Sequence, residues 1–196
     1  TVYHEHLSYF SILSIINLID RFDLEVFDIQ KQHVHGGTIR IFVSKKNNFK
    51  IKENVQKFIK LEYEFGINNI KTYEKFSDDV QNLKNKIVEI LQKLKREKKS
   101  LFGYGASAKG NVLLNYCNID FNILDYIIDT TPLKQGKFTP GTHIPILSSE
   151  KIIDKGNNDV GLLLAWNYEF EILKKEKNFR SKGGKFLIPI PIPILK

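Results

Sequence analysis

The stretch SLFGYGASAKGNVLLNYC, residues 100–117, decides the fold of this chain. An apolar entry is followed by Gly103, Gly105 and Ala108 with the spacing G-x-G-x-x-A, and a helical pattern of apolar residues comes next. This is the order of a strand, a tight turn and a helix N-terminus, where glycine permits the turn and free N–H groups attract an anion. The stretch therefore predicts an anion-binding turn, although the spacing alone is a weak signal for a dinucleotide.

Apolar and helical segments alternate from residue 100 to the C-terminus. Short apolar strands between helices indicate a parallel α/β sheet. Prolines in the final PIPIPILK cannot donate to a ladder, so the last strand is expected to end near Ile188, with the tail extended against another surface. The predicted strands lie near residues 101–102, 124–129, 161–166 and 185–190, and the predicted helices follow the glycine turn and lie near residues 149–154 and 168–177.

The N-terminal part of the chain has a different pattern. An amphipathic helix is predicted over residues 12–22, with Ser8 or Ser11 as its N-cap. Two β-prone segments follow, 24–29 and 38–43, and they are predicted to form an antiparallel hairpin. A helix and a hairpin in this order are expected to close a doubly wound domain.

Residues 49–99 are highly charged and helical. One helix is expected to stop at Gly66, and a second to begin at Ser77, because the acidic residues that follow suit the positive end of a helix dipole. Apolar steps of three and four in the second helix favour a helix packed between domains over a short coiled coil. The predicted organisation is therefore residues 1–48, the linking helices, and an α/β domain over 100–196.

The composition is that of a soluble globular protein, with 42% hydrophobic and 27% charged residues. No apolar run approaches the roughly 20 residues that span a bilayer, and no signal peptide is recognisable, so a cytoplasmic location is expected. The single cysteine, Cys117, excludes an internal disulfide and a cysteine-based zinc site.

The net charge of +8 suits nucleic acid, anionic nucleotides or no specific partner, and the Lys-rich composition favours the last. The absence of Met suggests a fragment of a longer protein.

Residues 3–6, with the sequence YHEH, are the strongest candidates for chemistry. A histidine beside a carboxylate is the basic unit of general base catalysis, because the carboxylate orients the ring and neutral imidazole accepts a proton near neutral pH. Surface histidine and glutamate at the start of a helix would give the same pattern. The residues themselves leave both interpretations open.

Polar residues also follow two predicted strands of the α/β domain. Asp129 lies 24 residues after Gly105, at the end of the second strand, where a carboxylate would bind a ribose or cap the next turn. The loop after it contains His143, although a lone histidine is more often structural. Trp166 and Asn167 end the next strand, where core packing of the tryptophan is favoured over stacking on a base.

Six stretches together are similar to the C-terminal half of the sugar C-methyltransferases, which act on nucleotide-linked keto-deoxysugars with S-adenosylmethionine. Their order and spacing cover nearly the whole chain, so the resemblance is more specific than any single motif. The stretches are YHEHLSYFS at 3–11, HGGTIRIFV at 35–43, GYGASAKGNVLLNYC at 103–117, IIDTTPLKQGKFTPGTHIPI at 127–146, LLLAWNY at 162–168 and GGKFLIPIP at 183–191.

The resemblance implies a longer protein with three parts: a small zinc-binding domain, a central methyltransferase domain and a C-terminal Rossmann-like domain. This chain would contain the last, together with the helix and antiparallel hairpin that close the central one and the linking helices. The resemblance thus implies S-adenosylmethionine and zinc in the full-length enzyme, with neither expected on this chain. The chain alone is expected to be inactive.

The resemblance also implies roles for individual residues. His6 would be the base that removes the proton next to the sugar ketone, with Glu5 and Tyr3 assisting. The partner would be a nucleotide-linked sugar, usually a thymidine diphosphate sugar in this family, and no nucleic acid or membrane partner is expected. The candidate substrate-binding residues are His35, Gly36, Gly103, Tyr104, Gly105, Ala106, Lys109, Asn111, Asp129, His143 and Asn167.

Two other functions are compatible with the residues. One is an NAD(P)-dependent oxidoreductase built on the glycine turn. The other is a non-catalytic module that binds nucleotides, or nucleic acid through its Lys-rich helices. The methyltransferase is favoured because it alone accounts for the opening cluster, the hairpin and the glycine stretch.

Overall fold

The computed structural model of the chain describes residues 7–32 and 38–196. The described residues form two compact units, one that ends at Asp78 and one that runs from Asp79 to Lys196. The division falls within a long helix. The expected domain limits at residues 48 and 99 stay a prediction.

The N-terminal unit begins with the predicted helix and hairpin. Helix α1 spans Ile12–Asp20, and Ser11 is its N-cap, because the Ser11 side chain accepts a hydrogen bond from the backbone N–H of Ser14. Strands β1, Leu24–Gln32, and β2, Thr38–Lys45, pair antiparallel. The predicted antiparallel hairpin is therefore confirmed.

Helix α2, Glu53–Phe65, completes the packing of the hairpin, and it ends at Gly66 with φ of +79°, as predicted. The carboxylate of Glu62 in α2 accepts the N–H groups of Ile12 and Leu13 at 2.6 and 2.9 Å, so it satisfies free donors at the start of α1. The small core of this unit consists of Ile12, Val26, Ile29 and Val55.

Helix α3 spans Ile70–Arg96, so the predicted start at Ser77 is wrong. The side chain of Asn69 accepts a hydrogen bond from the N–H of Lys71 at 3.0 Å, which is the geometry of an N-cap. Asn69 therefore starts the helix two turns before the acidic residues that suggested the later start.

The C-terminal unit contains a six-stranded sheet with the order β5-β4-β3-β6-β7-β8. The first five of these strands pair parallel, and β8 pairs antiparallel with β7. Relative to the first strand of the unit this is the order 3-2-1-4-5-6, which confirms the expected Rossmann-like α/β sheet. The strands are β3 Ser100–Tyr104, β4 Ile127–Asp129, β5 Ile146–Ser148, β6 Asp159–Leu163, β7 Lys185–Ile188 and β8 Ile194–Leu195.

Side chains alternate across this sheet and form one core on each face. Leu101 belongs to the core that packs against α3 and α4, Ala108–Cys117, whereas Phe102 belongs to the opposite core. Helices α5, Glu169–Lys175, and α6, Lys177–Ser181, contribute to that second core.

Two elements of the sheet differ from the prediction. Strand β5 lies in the predicted loop after β4. It has only three residues and follows a proline, so its sequence does not indicate a strand. Strand β7 ends at Ile188 as predicted, but the tail returns to the same sheet as β8 instead of extending along another surface. Within residues 7–32 and 38–196, no helix is both long enough and apolar enough to cross a membrane.

Candidate functional site

A cavity of about 350 Å³ lies at the carboxyl ends of β3, β4 and β6. The strand order reverses between β3 and β6, and open α/β sheets bind ligands at such a reversal. Tyr104, Gly105 and Asp129, three of the predicted site residues, line this cavity, which we call the switch-point pocket. The structure thus brings these three predicted residues together, and their role as site residues stays a prediction.

The glycine turn forms one wall of the switch-point pocket. Gly105 has φ of +85°, and a Cβ there would lie 2.9 Å from the side chain of Ala165, so glycine is required. Gly103 is buried in β3. The close approach of α4 to the sheet is at Gly110, where a Cβ would lie 2.6 Å from Leu164 Cβ. Gly110, and not Ala108 of the motif, thus permits this helix–sheet contact.

Helix α4 begins where the turn ends. The N-cap Ser107 accepts a hydrogen bond from the N–H of Gly110 at 3.0 Å and donates to the carbonyl of Leu164 at 2.9 Å. In the part of the chain that the structure describes, the N–H groups of Ala108 and Lys109 have no hydrogen-bond partner. These two donors are what remains for an anion at this helix end.

Asp129 closes the turn from the side of β4. Its Oδ2 accepts the N–H of Ala106 at 2.7 Å, and its Oδ1 accepts the N–H of Thr131 at 2.7 Å. Lys134 Nζ lies 3.5 Å from Oδ2 and donates to the carbonyl of Ala106 at 2.8 Å. A carboxylate of the protein itself therefore occupies the anion position at the glycine turn.

The ionised form of Asp129 is favoured by this arrangement. Burial alone would raise the pKa of its carboxyl group, but the N–H donors of Thr131 and Ala106 and the charge of Lys134 outweigh it, so the pKa lies below its usual value. The side chain also caps the turn after β4, one of the two roles that the sequence suggested.

Tyr104 belongs to a second cluster, on the α5 side of the pocket. Its hydroxyl group donates to Glu176 Oε1 at 2.5 Å, and Lys175 Nζ lies 3.5 Å from the hydroxyl oxygen and 3.6 Å from the carboxylate. Burial, and then the hydrogen bond to Glu176, raise the pKa of the Tyr104 phenol. Tyr104 is therefore a neutral donor and not a base at physiological pH.

One face of α5 and the residue before it complete the pocket lining. Tyr168, Glu171, Ile172 and Lys175 recur at steps of three and four, so they share this face. These four residues are not among the site residues predicted from the sequence. The detectable signal was their helical spacing directly after the carboxyl end of β6.

Six other predicted site residues among the described ones are not part of the lining of the switch-point pocket: Gly103, Ala106, Lys109, Asn111, His143 and Asn167. Asn111 Oδ1 is buried without a hydrogen-bond partner among the described residues. His143 is exposed, with φ of +54°. Asn167 lies in a more open groove of about 780 Å³ with Trp166, whose ring packs against both cores.

The predicted catalytic residues, Tyr3, Glu5 and His6, lie outside the described residues, as do His35 and Gly36. Their assignment as site residues stays a prediction.

The described residues do not fit zinc or S-adenosylmethionine, the two cofactors that the resemblance implies. A zinc ion would need a group of three or more His, Cys, Asp or Glu side chains, and the described residues contain no such group. The carboxylate that would bind the ribose of S-adenosylmethionine in a fold of this kind, Asp129, already accepts two backbone N–H groups.

Comparison with known proteins identifies one family. Residues 33–191 match the family model described as the C-methyltransferase C-terminal domain. The C-methyltransferase NovU of Streptomyces niveus is 38% identical over 194 residues, which cover 98% of this chain and 46% of that protein. The chain thus spans about half the length of this curated relative.

Proposed function

The chain belongs to the family of C-methyltransferase C-terminal domains, and from this we propose that it is part of a methyltransferase that acts on a nucleotide-linked keto-deoxysugar. The family match carries the proposal, because it extends over most of the chain. The sugar class rests on the resemblance of the six stretches. We propose a thymidine diphosphate sugar as the substrate.

The proposed chemistry begins with proton abstraction. The imidazole of His6 takes the proton from the carbon next to the sugar ketone, and Glu5 orients the ring while Tyr3 assists. Loss of this proton leaves an enolate, which makes the carbon nucleophilic. S-adenosylmethionine supplies the methyl group in this proposal, and both it and zinc are bound by other parts of the full-length protein.

The C-terminal unit serves in this proposal to bind and orient the nucleotide sugar. The switch-point pocket supports this role through its position at the strand-order reversal and its mixed lining of aromatic, hydroxyl and charged side chains. Holding the substrate in one orientation is a main contribution that binding makes to such a reaction. Tyr104, Gly105 and Asp129 are accordingly proposed as substrate-site residues.

The oxidoreductase alternative receives less support. A nicotinamide enzyme of this fold uses the carboxylate after the second strand to bind the ribose hydroxyls. Both oxygens of Asp129 already accept a backbone N–H, and Oδ2 also has Lys134 beside it. We therefore do not favour NAD(P) as the ligand. A cytoplasmic location and the absence of a nucleic acid partner remain parts of the proposal.

A methyl transfer assay tests the proposed function. The full-length protein is incubated with S-adenosylmethionine and a panel of thymidine diphosphate keto-deoxysugars, and the products are analysed by mass spectrometry and NMR. We expect one added methyl group on the carbon next to the ketone with at least one sugar, and no transfer by residues 1–196 alone. Methylation on oxygen or nitrogen, or no reaction with the whole panel, would contradict the proposal.

A further inference from the structure

We propose that Lys134 and Lys175 bind the diphosphate of the nucleotide sugar in the switch-point pocket, in place of the N-terminus of α4. This inference rests on the proposed function for the identity of the ligand. Its geometry rests on four features: the occupied turn, Lys134, Lys175 and the position of the neighbouring acids.

The glycine turn is an unfavourable place for a second anion. The Asp129 carboxylate is 7% exposed and already accepts the N–H of Ala106 at 2.7 Å. A phosphate at the same N–H would have to displace this carboxylate or lie beside a buried like charge, and both are unfavourable. The two donors left at this helix end, the N–H groups of Ala108 and Lys109, belong to residues outside the pocket lining, so the ligand anion is expected at the pocket wall instead.

Lys134 provides a cation on the β4 side of the pocket. Its Nζ makes one short hydrogen bond, 2.8 Å to the carbonyl of Ala106, and its distance of 3.5 Å to Asp129 is longer than that of a tight ion pair. An ammonium group has three donors, so Lys134 keeps donor capacity for a ligand. Its side chain is 44% exposed and lines the pocket.

Lys175 provides a second cation, on the α5 side of the same pocket. Its contacts with the Tyr104 hydroxyl and with Glu176 are long, at 3.5 and 3.6 Å, because Glu176 Oε1 already accepts the Tyr104 hydroxyl group at 2.5 Å. The Lys175 side chain is 54% exposed. Its charge is thus held at the pocket rim by weak contacts that a phosphate could replace.

The remaining acid of the lining, Glu171, does not cancel these charges. Glu171 lies one turn before Lys175 on the pocket face of α5 and is exposed, and among the described residues it forms no ion pair with Lys134 or Lys175. Two lysines from different segments of one pocket lining suit a diphosphate dianion, since each phosphate can accept from one ammonium group.

Binding measurements on the full-length protein test this inference with thymidine diphosphate and, as the phosphate-free probe, thymidine. Lys134→Gln and Lys175→Gln remove charge but keep a hydrogen-bond donor, so the contact of residue 134 with Ala106 can persist. Each is expected to weaken thymidine diphosphate binding about tenfold and thymidine binding less than about twofold. The matched control Lys174→Gln, on the neighbouring groove, is expected to change both by less than about twofold.

Two outcomes would overturn the inference. A loss on Lys109→Gln at the start of α4, with Lys134→Gln and Lys175→Gln unchanged, would place the diphosphate at the helix end and leave the proposed function intact. If none of Lys109→Gln, Lys134→Gln and Lys175→Gln weakens thymidine diphosphate binding, this inference is contradicted and the proposed function is not. Failure of the unsubstituted protein to bind thymidine diphosphate would overturn the proposed function together with it.

Discussion

Asp129→Asn is the substitution whose effect follows most directly from the geometry of the turn. In the native protein the two oxygens of Asp129 accept the N–H groups of Ala106 and Thr131, both at 2.7 Å. An asparagine has one acceptor oxygen, so one of these N–H groups would face an amide NH₂ group. Hydrogen bonds to charged groups contribute about 1.5–3 kcal/mol each, and the unpaired donor adds its own cost. We expect a loss of about 2–4 kcal/mol in the free energy of unfolding.

Urea unfolding followed by tryptophan fluorescence measures this loss. Trp166 is the single tryptophan of the chain, and it packs against both cores of the C-terminal unit, so its emission reports the unfolding of that unit. Asp125→Asn is the matched control, because Asp125 is 47% exposed and lies 3.7 Å from Lys95. An exposed pair of this kind contributes less than about 1 kcal/mol, so the control should unfold almost as the native protein does.

The pH dependence gives a second, independent readout of the same substitution. The pKa of Asp129 is lowered in the folded protein, so its ionised form stabilises the fold above the unfolded value of about 3.9. That stabilisation is lost as the pH falls through the folded pKa. The difference between native protein and Asp129→Asn should therefore be constant from about pH 7 to pH 5 and shrink below about pH 4. A difference under about 0.5 kcal/mol at pH 7 would refute the reasoning.

Three further predictions concern the same unit. Gly110→Ala should cost about 1–3 kcal/mol in urea unfolding, because the new Cβ would lie 2.6 Å from the nearest side-chain carbon, whereas Gly156→Ala, with 3.4 Å to its nearest atom, should change little. Tyr104→Phe should cost about 1.5–3 kcal/mol below pH 9, because it leaves the buried Glu176 without its 2.5 Å donor. Since the pKa of Tyr104 is raised on folding, this cost should shrink as the pH rises above about 10. Cys117, with burial raising its pKa to about 11, should react with a thiol reagent only when the protein unfolds, so fast reaction of the native protein would contradict its burial.

Local patterns were sufficient to predict most of the fold. Ser11 as N-cap, Gly66 as helix end and the glycine turn after β3 each follow from a short-range rule, and the structure has all three. The start of α3 was misplaced because a single asparagine, Asn69, caps the helix before any acidic residue appears. The short strand β5 has too few residues to show a period.

The candidate site was predictable only in part, since its walls come from distant segments. The residues that end β3 and β4 could be identified, because strand ends at a parallel sheet mark the ligand edge. The ion pair of Lys134 with Asp129, and the contact of Tyr104 with Glu176 across 72 residues of sequence, depend on tertiary packing. No local pattern indicates that the Asp129 carboxylate accepts the N–H of Ala106 in the glycine turn after β3.

Solvent hydrogen exchange tests the central claim, that His6 is the base of a sugar C-methyltransferase, most directly. The full-length protein is incubated in D₂O with its nucleotide-linked keto sugar, and NMR follows deuterium at the carbon next to the ketone together with methyl transfer. Because a general base contributes about 10²–10⁴-fold, His6→Ala should slow both exchange and methylation by at least about 100-fold while the affinity for the nucleotide sugar stays within about threefold. Native rates of exchange and methylation in His6→Ala would contradict the account.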